Sequence, residues 1–162
     1  MDRVMSREAL STLLDQVTRE ITREAGVILS PAGPDQSGPG QEVCTVYITF
    51  DRGMDTTLSL SADSSVFVRM ACDLMQTEEV TPKDVEDVAK EYFNVLCGHV
   101  LARLFEVTKI PARFSVPSFC GGRYVMRDAV AQIILDYTGD RQEWVQLVHH
   151  TPHRVSPTID FK

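Results

Sequence analysis

The chain has 162 residues, a hydrophobic fraction of 43%, a charged fraction of 24% and a formal net charge of -7. That is enough length and apolar content for a sizeable core within one domain. The acidic balance argues against nonspecific nucleic-acid binding, and no apolar run approaches the ~20 residues that a membrane span requires.

The opening residues, Met1 to Glu8, contain no apolar signal region, so a cytoplasmic protein without membrane or nucleic-acid partners is predicted. Residues 6 to 25 read as an amphipathic helix. Leu10, Leu13, Leu14, Val17 and Ile21 recur at helical spacing, and Gly26 suits the position after its end. Residues 30–41 are rich in Pro, Gly and Ser and predict a flexible loop. The loop does not divide the chain, because one helix cannot stand alone before it. A single domain over residues 1–162 is expected.

Two strands come next. Cys44, Val46, Ile48 and Phe50 alternate with Thr45, Tyr47 and Thr49, giving one greasy and one wetter face. A turn around Asp51–Gly53 leads to Thr56–Ser61, where Leu58 and Leu60 alternate with polar residues. A second helix is expected from about Asp63 to Met75. The third helix has the clearest start: Thr81 as N-cap, Pro82 in the first turn and Asp84 as capping acid. It should continue to about Phe105. Strand-like stretches follow at 112–117, 122–126, 129–137 and 143–150, with turns at Gly121-Gly122 and Thr138-Gly139-Asp140. An irregular tail is expected from about Thr151. This order predicts an α+β fold of two layers, a largely antiparallel sheet packed with helices on one face.

The third helix carries the residues that most resemble a site. Asp87, Glu91, Asn94 and Gly98 are spaced by four, three and four, so they lie along one helical face. Val88, Ala89, Tyr92, Phe93, Leu96 and Val100 lie roughly opposite and read as core. A carboxylate and an amide therefore stand side by side facing outward, with a bare position one turn on. Pro117 follows Asn94 after 22 intervening residues.

This spacing resembles the CheC/CheX/FliY family of chemotaxis phosphatases. Its pattern is Asp or Ser, three residues, Glu, two residues, Asn, 22 residues and Pro, filled here by Asp87, Glu91, Asn94 and Pro117. The glycine after the amide, Gly98, is typical of the family too. CheC-like members carry the pattern twice. The matching register on the first helix is Ser11, Asp15, Thr18, which lacks both Glu and Asn, so the single-site CheX branch is the better match. The stretch Asp51–Thr57 departs from the family's glycine-rich habit.

The resemblance implies a CheC-like fold, a homodimer and a phosphorylated CheY-like response regulator as substrate. The implied activity is hydrolysis of the regulator's aspartyl phosphate. Glu91 and Asn94 would be the catalytic pair: Asn94 positions the attacking water, and Glu91 pairs with a lysine beside the partner's phosphoryl group. Asp87, Gly98 and Pro117 would contribute to binding. The partner's own acids would hold Mg²⁺, leaving this chain with no metal and no cofactor. An amide suits the water-holding task because it both donates and accepts, and it does not titrate near neutrality.

Other readings compete. Acid and amide residues on an exposed helix are usually only solvated, and Pro117 alone would be a strand-ending residue. The same ridge could bind a receiver domain or another signalling protein without turnover, as a non-catalytic module or adaptor. A flagellar-switch or structural subunit is a weaker possibility. His149, His150 and His153 are too irregularly placed for a metal site, and His99 reads as packed on the apolar side. The four cysteines, Cys44, Cys72, Cys97 and Cys120, contain no C-x-x-C pair and read as buried thiols. Trp144 reads as core or interface.

Overall fold

The structure, a computed structural model, describes residues 5–34, 36, 38–40, 42–51, 56–124 and 129–152. Helix α1 spans Arg7–Glu24. Strands β1 (Leu29–Pro31), β2 (Val43–Asp51) and β3 (Thr56–Asp63) follow it. Helices α2 (Ser64–Met75) and α3 (Pro82–Thr108) come next, then β4 (Arg113–Phe114), β5 (Ser118–Gly121), β6 (Ala129–Gly139) and β7 (Trp144–Pro152). The seven strands form one sheet in the order β1-β6-β7-β3-β2-β4, with β5 also paired to β2, and every pairing is antiparallel. The α+β expectation holds.

Helices α1 and α3 begin where side chains satisfy free N–H groups, whereas Asp63 before α2 makes no side-chain cap. Ser6 accepts from the Ala9 amide at 3.1 Å to start α1. At α3, Thr81 accepts from the Asp84 amide at 3.1 Å while Asp84 accepts from the Thr81 amide at 2.9 Å, a reciprocal cap. Lys109, in left-handed geometry at φ 60°, ends α3 three residues beyond the expected Phe105.

One sheet face carries Val46, Ile48, Phe50, Leu58, Leu60, Ile133, Tyr137, Val145 and Leu147, all buried in a common core with the three helices. The register explains this: Val46 lies opposite Leu60, and Leu60 opposite Leu147, so the apolar set stays on one side. The other face is polar, and part of it is covered. Thr45 and Ser61 share a 2.7 Å hydrogen bond, and Tyr124 stacks on Tyr47 with centroids 3.9 Å apart. Arg69 on α2 reaches Asp140 at 2.8 Å and Glu143 at 3.0 Å, tying that helix to the β6–β7 turn.

Several boundaries differ from expectation. Leu29–Pro31 form a strand that runs into the stretch 30–41 read as loop, pairing with Tyr137–Gly139. As an edge strand, β1 tolerates proline. The stretch 112–117 is strand only at Arg113–Phe114. The next strand is Ser118–Gly121 rather than 122–126, because Gly122, at φ +84°, turns the chain onto the polar face. Thr151 and Pro152, expected in an irregular tail, pair with Val130 and Ala129. His153 and the rest of that tail lie outside the described residues, as do Arg52 and Gly53 of the expected turn and residues 125–126 of the expected strand. Of the four cysteines only Cys97 is buried; Cys44, Cys72 and Cys120 are half-buried.

Candidate functional site

Ala89, Phe93, Leu96, Cys97 and Val100 turn into the core, each 1% exposed or less. The opposite side of α3 must therefore face out, and Asp87, Glu91 and Asn94 are all exposed. Gly98 is half-buried, and a Cβ built there would meet nothing within 4 Å. The bare position is open space.

Asp87 accepts from Lys83 at 2.9 Å, and Lys90 pairs with Glu86 at 2.7 Å, both one turn apart along the helix. The bond to Asp87 holds the Lys83 ammonium above its ordinary pKa. Among the described residues, Glu91 and Asn94 take part in no side-chain hydrogen bond or ion pair. Their polar atoms remain available for something else.

The loop between β4 and β5 closes the site from the side. Its Ser115 donates its amide to the Thr49 carbonyl at 2.9 Å and accepts from the Thr49 amide through Oγ at 3.2 Å. Pro117 is buried and leads into β5, while Val116 is 81% exposed. Asp87, Lys90, Glu91, Asn94, Phe114, Ser115, Val116 and Pro117 together line a cleft of about 390 Å³. Pro117, distant in sequence, thus shares one opening with Glu91 and Asn94. Gly98 flanks the cleft without lining it.

Lys90 and the Phe114–Val116 wall were missed by sequence reasoning. Lys90 lies beside the ridge and could have been found by continuing the helical wheel. The wall depends on β4 pairing with β2, with Phe50 opposite Phe114, and no local signal announces that.

The other candidates separate from this cleft. His99, expected to pack inward, is exposed, because the solvent-facing arc of α3 extends through Val95 and His99. Burial pushes the Cys97 thiol well up, which disfavours a thiolate nucleophile. His149 is buried, with both ring nitrogens unpartnered among the described residues, and desolvation lowers its pKa to about 4. His150 follows it on the strand and points to the opposite face. Among the described residues no group of three His, Cys, Asp or Glu side chains could hold a metal ion. Trp144 is 7% exposed, with the Arg123 guanidinium 5.1 Å over its ring.

On α1, Asp15 and Thr18 of the register Ser11, Asp15, Thr18 are already engaged or buried. Asp15 accepts from Tyr137 at 2.6 Å and from Arg19 at 3.2 Å, and Thr18 is fully buried.

A family model described as chemotaxis phosphatase CheX matches residues 44–137. No curated protein sequence matches the chain. Among solved structures, CheX from Vibrio vulnificus is similar at a TM-score of 0.65 and 15% identity, covering 90% of this chain and 99% of that one. A chain of the CheX–CheY–BeF3–Mg²⁺ complex from Borrelia burgdorferi gives a TM-score of 0.65 at 13% identity, covering 94% and 100%. FliY from Thermotoga maritima gives 0.57 at 13% identity, covering 93% and 92%. At these identities the structures speak for the fold. Among the described residues no helix is long and apolar enough to cross a membrane.

Proposed function

The chain belongs to the chemotaxis phosphatase CheX family, and from that membership we propose that it promotes hydrolysis of the aspartyl phosphate on a CheY-like response regulator. The observation that carries this reading is the pair Glu91 and Asn94, exposed on one face of α3 and unpartnered among the described residues, at a cleft walled by Pro117. A solved complex of a CheX with CheY, in a chain of the same fold, supports a CheY-like partner.

In the proposed step a water oxygen attacks phosphorus in line with the bond to the aspartyl carboxylate. The P–O bond to that carboxylate breaks, the carboxylate departs, and the water proton is lost to solvent or phosphate. Asn94 accepts a hydrogen bond from the water and fixes its direction of approach, which removes orientational freedom before the reaction. Glu91 receives a lysine of the partner and fixes the docking register. Mg²⁺ held by the partner's acids offsets the phosphoryl charge. Asp87 is held by Lys83, so its contribution is to the shape and charge of the ridge. The same reading carries a homodimer; a sedimentation coefficient of one copy would remove that part.

Phosphate loss from the cognate receiver domain tests the proposal. Asn94→Ala should slow turnover by about 10²-fold or more, the scale of a lost positioning group. An unchanged rate removes Asn94 from the mechanism. Glu91→Ala should chiefly weaken engagement, and equal affinity for wild type and variant counts against its docking role. Binding without acceleration selects a non-catalytic receiver-binding module.

A further inference from the structure

A second opening lies beside the ridge, where α1, α2 and α3 meet. It measures about 380 Å³, and its floor and walls are mostly apolar, with Met70, Leu74 and Val95 among them. The three charged residues that line it, Glu24, Asp73 and Glu91, are all acidic. All three are exposed, and among the described residues none is in an ion pair. The groove also receives the C-terminal ends of α1 and α2, which close at Glu24 and Met75. Helix C-termini carry partial negative charge; α2 has no basic residue in its last turn, and Arg23 in the last turn of α1 does not line the groove. Carboxylates and helix ends therefore place a negative field around an apolar pocket.

Glu91 lines both this groove and the cleft that holds Asn94. A partner broad enough to span Glu91 therefore meets the groove and the Asn94 cleft together. Leu74 is 67% exposed and Val95 39%, so apolar surface continues outward from the groove.

We propose that this groove selects the partner: it takes an apolar side chain of the receiver domain flanked by a lysine or arginine. The proposal rests on the phosphatase reading for the partner's identity, but it concerns different residues. Glu24 and Asp73 attract the cation, and Leu74 and Val95 bury the apolar neighbour. Charge at a rim of this kind acts mainly on association and its salt dependence, whereas apolar burial is insensitive to salt.

The test measures affinity for the source organism's receiver domains, loaded with Mg²⁺ and beryllofluoride, at low and high salt. Turnover at saturating phosphorylated receiver is read alongside. Glu24→Gln with Asp73→Asn should weaken binding about fivefold at low salt, and the gap should close at high salt. Leu74→Ser should weaken binding about tenfold at either salt. Turnover at saturation should stay at the wild-type rate in both. These side chains are exposed, and an unchanged melting temperature checks that the fold is intact. If wild type binds and both variants bind equally well, the groove is not the selecting surface, and the phosphatase reading stands. A change in saturated turnover without a change in affinity also overturns the groove. If wild type neither binds nor dephosphorylates any receiver domain, both proposals fall together.

Discussion

Helices α1 and α3 lie side by side and carry the same polar spacing to opposite ends. On α3, Glu91 and Asn94 face solvent with no partner among the described residues, beside an open cleft. On α1, Asp15 is taken by Tyr137 and Arg19, and Thr18 is fully buried, one turn from the 2.6 Å bond that Thr22 makes to Tyr92 on α3. The spacing alone does not make a site. What distinguishes the helices is how they pack: α3 turns this face outward, whereas α1 spends it on interior contacts. Inward polar groups should register in stability, and outward ones in function.

That division can be broken by measurement, starting from the largest expected effect. Asn94→Ala should cost about 10²-fold in dephosphorylation with an unchanged melting temperature; a large fall in melting temperature would erase the distinction. His149 extends the inward set into the sheet. Its folded-state pKa of about 4 lies below the ordinary 6.5. The unfolded chain thus takes up a proton first, and the neutral ring contributes stability fully above about 6.5. That contribution declines as pH falls towards about 4, by about 3 kcal/mol in all. Denaturant titrations across this window should show the decline, and His149→Phe should remove most of it, leaving the smaller part that burial of His150 contributes in the same direction.

Tyr137→Phe removes the bond to Asp15 and should cost about 2 kcal/mol, the scale of a hydrogen bond to a charged group. Its rate of dephosphorylation should match wild type. Thr18→Val should do the reverse to stability. The Thr18 hydroxyl is buried with no partner among the described residues, so replacing it with a methyl should stabilise by about 1 kcal/mol. A loss of stability would mean the hydroxyl is satisfied in solution.

The sequence disclosed those features that are written locally. The cap of α3, its inward stripe and its outward ridge all follow from positions within a few turns of one another. The alternation of Val46, Ile48 and Phe50 likewise placed β2. Features that depend on distant pairing were hidden. Strand β1 is three residues long, next to a proline-rich stretch, and only its pairing with β6 makes it a strand. Gly121-Gly122 read correctly as a turn, but the strand beside it precedes the turn, at Ser118–Gly121, instead of following it. The outward position of His99 depends on where α1 and α2 leave α3 uncovered. The groove between the three helices draws on segments some seventy residues apart, beyond the reach of any periodicity.

Ser115 has one more consequence. It fastens the Pro117 wall to Thr49 on β2, while Glu91 and Asn94 ride on the helix above. The two jaws of the opening thus belong to different layers, and its gape is a gauge of the distance between them. Phe93, fully buried on the inner side of α3, belongs to the core that helices and sheet share. Thinning the interlayer filling there, as in Phe93→Leu, would let the rod settle and pinch the slot without altering any residue that borders it. Chemistry at the surface is in this way tuned from the middle of the protein.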